Sequence, residues 1–424
     1  MPLGRGFRVL WSANALSNLA DGIAFVSMPL LAASVTDDPR LVAGLATLYA
    51  LVRLLVALPI GVWVDRVDRR TLIVAANVLR GCALLGLALA IQLGFSSLMV
   101  LYAAMAVVAT LESAADNAAS AMLPSLVDRE RLDSANGRVA AAQLVADEFA
   151  GPPLGGLLFA LAAAAPVFAM GGLWAVAGLV ALALPIRRLS RPGSDARDAR
   201  RSVSVEVREG IAWLARHRVV GSLALIGALA SVGYMLPFSI LVLFAEERLG
   251  LDSTGYGLLL AASALGGLLG SFLAARLRAW LGYRWTIVAS LALGALTLGG
   301  LCLTTNPIVA GVLLALYILH ATVWNICSQS LRQRLIPDEL LGRVGASTRV
   351  LGLLGLAIGA TMGGLLGVVD LAIPVATGAG VFVVCSLVAA GALRGGVSGR
   401  SGSDVRPWRC APQARRGENP SKDR

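Results

Sequence analysis

Long apolar runs alternate along the chain with short polar interruptions. No charged residue occurs from Cys82 to Leu111, and from Trp285 to Leu331 the only titratable side chains are His320, Tyr317 and two cysteines. About 20 apolar residues suffice to cross a bilayer. A soluble core helix would keep a polar face, which these runs lack. The pattern predicts an all-α integral membrane protein with twelve transmembrane helices. They are expected near 7–34, 40–63, 71–93, 97–123, 134–162, 166–186, 219–245, 254–276, 284–304, 307–331, 342–369 and 371–393. Most connectors are short and carry turn residues, as in Asp37-Asp38-Pro39, Gly94 and Asn306-Pro307. The first apolar stretch begins near Phe7 without an A-x-A-like cleavage site, so it is expected to be a true span.

The connector at 187–218 is long and carries nine arginines. Within it, Ser204 to Arg218 has helical periodicity. Ile211, Leu214 and Ala215 share a face, with Trp213 beside them and Arg208 across. Two readings stand: a helix lying in the membrane interface and a solvated linker helix. Beyond Gly395 the tail is Gly/Ser/Pro/Arg-rich and is expected to be disordered.

Composition agrees with the pattern. Only 14% of residues are charged, against roughly 25% in soluble domains. The net charge is +11, and Lys422 is the sole lysine among 36 basic residues. Those residues flank the spans, which suits anionic lipid better than nucleic acid. Assigned alternately, one set of loops and both termini hold 30 of them, and the opposite set holds only Arg40 and Arg248. This asymmetry predicts that both termini are cytoplasmic. The five cysteines form no CxxC pair, so small buried residues are expected rather than metal ligands.

The chain also repeats. Gly61-Val-Trp-Val-Asp65-Arg-Val-Asp-Arg69 ends span 2, and Gly270-Ser-Phe-Leu-Ala274-Ala-Arg-Leu-Arg278 ends span 8, 209 positions later. Gly151-Pro-Pro-Leu-Gly155-Gly156-Leu-Leu in span 5 returns as Gly359-Ala-Thr-Met-Gly363-Gly364-Leu-Leu, 208 positions later. Two unrelated motifs with nearly one displacement imply two pseudo-symmetric six-helix halves. The expected divisions are 1–186, a cytoplasmic linker at 187–218, 219–394, and a basic tail at 395–424. Parallel halves of this kind are a transporter architecture, with the substrate path between them.

Over residues 7–395 the sequence resembles the major facilitator superfamily. Gly61-x-x-x-Asp65-Arg66-x-x-Arg69-Arg70 looks like that superfamily's loop between helices 2 and 3, with Asp68 where a glycine is usual. Together with Leu123-Pro124 and Ala135-Asn136, the Asp-Arg-x-Asp-Arg-Arg form is similar to the branch of macrolide and enterobactin exporters. The resemblance implies a major facilitator fold and a gating role for Gly61, Asp65, Arg66, Arg69 and Arg70. Asp65 would accept from Arg69 and latch the halves in one state; the alternative is a plain positive-inside anchor. Gly151, Pro152, Gly155 and Gly156 resemble the antiporter motif of drug exporters. Its upstream glycine positions are held here by Arg138 and Asp147, and glycine pairs also serve simple packing.

Charges inside spans are costly and usually functional. Asp21 shares a face of span 1 with Asn14, Ser17 and Asn18. Glu112 and Asp116, four apart, share a face of span 4, and Asp147 and Glu148 are adjacent in span 5. Arg53 and Arg80 are candidate partners. Each acid is either a proton carrier or half of an ion pair holding helices together. Asn325 and Gln329 give span 10 a polar face, with His320 above them; His320 is expected to be a hydrogen-bonded interior residue, with a proton relay as the alternative.

No Walker A loop, HExxH motif or nucleophile–base pair is present. The chain is therefore expected to be no enzyme and to need no cofactor or metal. The expected function is proton-coupled export of hydrophobic or amphiphilic small molecules (an antibiotic, a macrolide-like compound or a siderophore) by a monomer in the lipid bilayer. Proton-coupled uptake of a small nutrient is the alternative, and a non-transporting polytopic protein is a further one.

Overall fold

A computed structural model describes residues 4–95, 97–185 and 203–394. Among the described residues it is helical, with no strand. The first half contains α1 (Arg5–Ala33), α2 (Pro39–Arg66), α3 (Arg69–Gln92), α4 (Leu98–Met122), α5 (Leu132–Gln143), α6 (Gly151–Leu161) and α7 (Ala165–Ala181). A linker helix α8 (Val203–Arg216) follows. The second half contains α9 (Arg218–Phe238), α10 (Leu241–Glu247), α11 (Ser253–Leu303), α12 (Pro307–Leu335), α13 (Asp338–Gly367) and α14 (Ala372–Ala392).

Ten helical stretches are long and apolar enough to cross a membrane, and the 17-residue α7 is a shorter apolar helix. One of the ten, α11, is 51 residues long. Straight, it would run about 77 Å at 1.5 Å per residue, over twice the ~30 Å hydrocarbon core. It reverses at Gly282, whose φ of 69° is left-handed and suits a residue without Cβ. Both arms pack on one stretch of α12: Gly266 meets Ala315 from the first, Gly294 meets His320 from the second. Counting α11 twice and adding α7 gives twelve crossings, as the apolar runs predict.

Two crossings are interrupted. Span 7 breaks after Pro237 into α9 and α10. Span 5 contains a π-helical segment, Leu144–Ala150, between α5 and α6. The cause is local: Pro152 and Pro153 have no N–H, so the Glu148 and Phe149 carbonyls lose their α-helical donors. The helix widens just before them, and the Gly151 N–H reaches back five residues to the Ala146 carbonyl.

The halves meet at the arginine-poor end, and the repeated glycine motif makes that contact twice. Gly151 and Gly155 lie against Gly22, Ile23 and Ser27 of α1, and Gly156 lies against Ser253 and Gly257 of α11. In the repeat, Gly359 and Gly363 lie against Val232 and Leu236 of α9, and Gly364 lies against Pro39 and Arg40 of α2. A Cβ at Gly156 or Gly364 would overlap the facing helix, so close crossing requires glycine there. The Thr47 and Thr361 hydroxyls add a 3.3 Å contact between α2 and α13.

The linker helix packs against α9 and α13. Its buried face is Gly210, Trp213 and Leu214, not Ile211, Leu214 and Ala215; Ile211 and Ala215 are exposed. Trp213 and Leu214 pack with Val220, Ala224, Ile336 and Val344, and Glu209 pairs with Arg343 at 3.0 Å. Gly210 sits on the Arg343 backbone, so a close helix crossing decides the face. The rest of the 187–202 connector and the tail from 395 lie outside the described residues.

Candidate functional site

Two ionic clusters stand inside the first half, and the structure joins acids and arginines that the sequence only nominates. Arg80 of α3 is fully buried and reaches α1. Its guanidinium donates to Asp21 Oδ1 at 3.2 Å, Ser17 Oγ at 2.8 Å and Asn77 Oδ1 at 2.7 Å. Its plane lies 4.8 Å from the Trp174 ring of α7. Removing a guanidinium from water is expensive, and these partners are what offset that cost. In the second cluster, Arg53 of α2 donates to Glu112 Oε1 of α4 at 2.8 Å, and the Tyr49 hydroxyl donates to the same oxygen at 2.7 Å. Sequence reasoning missed Tyr49, Asn77 and Trp174. Tyr49 stands four residues from Arg53 and Asn77 three from Arg80, the spacing of one helix face.

Both clusters border a cavity of about 340 Å³ between the halves. Its lining includes Asp21, Arg53, Glu112, Asp116 and Asp147 from the first half and Tyr234, Phe238 and Tyr256 from the second. Asp116 and Asp147 make no hydrogen bond or ion pair among the described residues. With Asp21 paired to Arg80 and Glu112 to Arg53, the chamber carries two carboxylates in excess of its bases. Asp147 sits on the π-helical segment, its backbone tight against Gly22. Glu148 points instead into a neighbouring cavity of about 230 Å³, which shares Phe25, Asp147, Tyr234 and Phe238 with the first. A third cavity, of about 280 Å³ and lined by Asn14, Asn18, Ser120, Asn136 and Gln143, meets the chamber at Asp116 and Gln143. A polar route thus leads from the acids toward the arginine-rich end.

The remaining candidates scatter. The side chains of Gly61, Asp65 and Arg66 lie outside the described residues. Arg69 donates to the Ala121 carbonyl at the end of α4, at 2.7 Å, and Arg70 donates to the Leu182 carbonyl just after α7. Both arginines satisfy orphan carbonyls where the helix dipole favours a cation. Asp68 caps α3 by accepting from the Thr71 N–H at 3.0 Å, which accounts for an acid where the motif has glycine. Asn325 lines a cavity of the second half; Gln329, one turn on, is exposed and lines neither that cavity nor the acidic chamber. Among the described residues, neither ring nitrogen of His320 has a hydrogen-bond partner.

The Major Facilitator Superfamily model matches residues 10–360. The chain belongs to that superfamily. Among other members, it is 26% identical over 362 residues to the enterobactin exporter EntS of Shigella boydii serotype 4, with 85% of each chain covered. Its fold is that of a bacterial homologue of the iron transporter ferroportin in an inward-facing state (TM-score 0.71, 19% identity, 92% of this chain and 99% of that one). The nucleoside transporter NupG superposes with a TM-score of 0.70 at 11% identity, over 92% of this chain and 100% of that one. The protein is therefore a multi-pass major facilitator transporter of small molecules and not an enzyme.

Proposed function

We propose that this transporter is a proton-coupled exporter of hydrophobic or amphiphilic small molecules, working in a bacterial inner membrane. The observation that carries the reading is the acidic chamber, set between the halves beside a tight seal at the arginine-poor end. The excess of arginine at the other end argues that it is cytoplasmic, so that both termini are inside and the chamber faces the cytoplasm. Substrate enters there. The halves, with divisions near 1–186 and 219–394, then rock about the chamber. Asp116 and Asp147, which have no fixed partner, are the groups assigned to exchange protons with it; Asp21 and Glu112 are held by Arg80 and Arg53 and position the chamber wall. Arg69 and Arg70 clasp α4 and α7 within the first half, so the loop carrying Asp65 and Arg66 moves with that half as one piece. The protein acts as a monomer.

The exporters among its relatives favour export over uptake, and the apolar and aromatic part of the chamber wall, with Phe25, Met28, Phe238 and Tyr256, favours a hydrophobic or amphiphilic substrate. Expression in an efflux-deficient bacterium tests the reading, with accumulation measured for a panel of antibiotics, dyes and siderophores. Lower accumulation that a protonophore abolishes is expected. Accumulation that rises with expression would replace export by uptake.

A further inference from the structure

A second cavity, of about 250 Å³, lies inside the second half between α9, α12, α13 and α14. Its α12 wall is a single helix face, with Tyr317, His320, Trp324 and Ser328 spaced three or four residues apart. Tyr317 and His320 are 1% exposed and Trp324 is 6% exposed. Among the described residues, neither the Tyr317 hydroxyl nor either nitrogen of His320 meets a partner. Leaving a buried polar group unmet costs about 1–3 kcal/mol. Two such side chains on consecutive turns, both lining one cavity, call for a partner from outside the chain.

The lining says what kind of partner. Arg332 is its one charged residue and stands at the arginine-rich end of α12. Beside it are the Asn325 amide and the Trp324 indole. Arg332 and the indole can only donate, and the guanidinium favours an oxygen acceptor carrying negative charge. The walls are aromatic. The His320 ring packs edge-on to Tyr317 at 4.7 Å and to Phe382 at 4.9 Å, and Gly294 leaves the imidazole its room.

We propose that this cavity is a binding site for an aromatic ring bearing an anionic oxygen, of which an aryl carboxylate is the simplest case. The ring lies between Trp324 and Phe382, and its oxygens face the Tyr317 hydroxyl, His320, Asn325 and Arg332. The site borders the acidic chamber at Tyr234 and differs from it in chemistry, because the chamber's excess of carboxylates repels an anion.

The test is equilibrium binding of 2-naphthoate to the purified full chain in lipid nanodiscs. This readout is independent of transport direction and proton coupling. The wild type is expected to bind saturably and to prefer 2-naphthoate to the neutral 2-naphthamide. Tyr317→Phe and His320→Phe should each weaken binding about tenfold, the effect of one lost hydrogen bond to a charged group. Arg332→Gln should remove the preference for the anion. Tyr317→Phe deletes one oxygen, so it reports even if the histidine variant fails to fold. Absence of saturable binding to the wild type, or equal affinity in a monodisperse Tyr317→Phe variant, would overturn the site and leave a hydrated cleft. An anion preference that survives Arg332→Gln would overturn the charge assignment. Binding without any export of the panel compounds would sink the exporter reading alone.

Discussion

The two halves share a backbone plan and differ in what they place at matching depth. Glu112 and Asp116 face the chamber from α4; 208 positions later stand His320 and Trp324 of α12, which line the second cavity. Arg80 is matched by Val288 at the same displacement. Duplication thus preserved the packing devices, as the paired glycine contacts of α6 and α13 demonstrate. Among the described residues, the one buried charged side chain, Arg80, lies in the first copy. Packing depends on shape, which any faithful copy inherits. A buried charge survives only where its partners survive too.

The largest expected effect that would break this contrast is in stability. Arg80→Ala leaves Asp21 without its cation and opens space beside Trp174, so it should cost about 3–5 kcal/mol. Thermal unfolding in detergent measures it against Val288→Ala. Equal melting of the two variants would mean that the ionic network is no special support of the first half. Next, Asp116→Asn combined with Asp147→Asn should cut protonophore-sensitive export about tenfold or more, by the usual scale for a functional acid or base. Asn325→Ala should change it little for substrates held in the chamber. Similar losses from both would spread coupling across the halves.

A smaller effect sharpens the symmetry itself. Gly156→Ala and Gly364→Ala each force a methyl group into a helix crossing, at about 1–3 kcal/mol of overpacking. Each should favour the state open at the arginine-poor end, read as faster thiol labelling of a cysteine placed there. A response from only one position would make the seal one-sided. The smallest effect concerns the linker: Glu209→Gln should lower stability by at most about 1 kcal/mol, because the pair with Arg343 is partly exposed. A larger drop in melting would make α8 a structural member of the second half.

Twelve crossings, the even span count and the internal repeat were all legible, because each rests on apolar periodicity or on exact residue spacing. The pairing of Arg53 with Glu112 and of Arg80 with Asp21 was half legible: the faces of the acids followed from helical periodicity, but which arginine met which acid needed the helix arrangement. The π-helical segment left a signal in Pro152-Pro153 that a reading of standard helices passes over. The face by which α8 docks on the second half was not legible, because it is set by close approach at Gly210 and not by apolar content. His320 was misjudged for a different reason. One sequence gives no list of partners, and the usual expectation for a buried histidine is that it has some.

Gly282 carries a mechanical consequence. With a single residue between its two arms, α11 has no slack at its bend and behaves as a two-armed lever. One tip, at Ser253 and Gly257, touches the seal on Gly156; the middle of the other arm, at Gly294, bears on the imidazole of His320. One continuous element, bent at one glycine, thus touches both the seal between the halves and the interior of the second half.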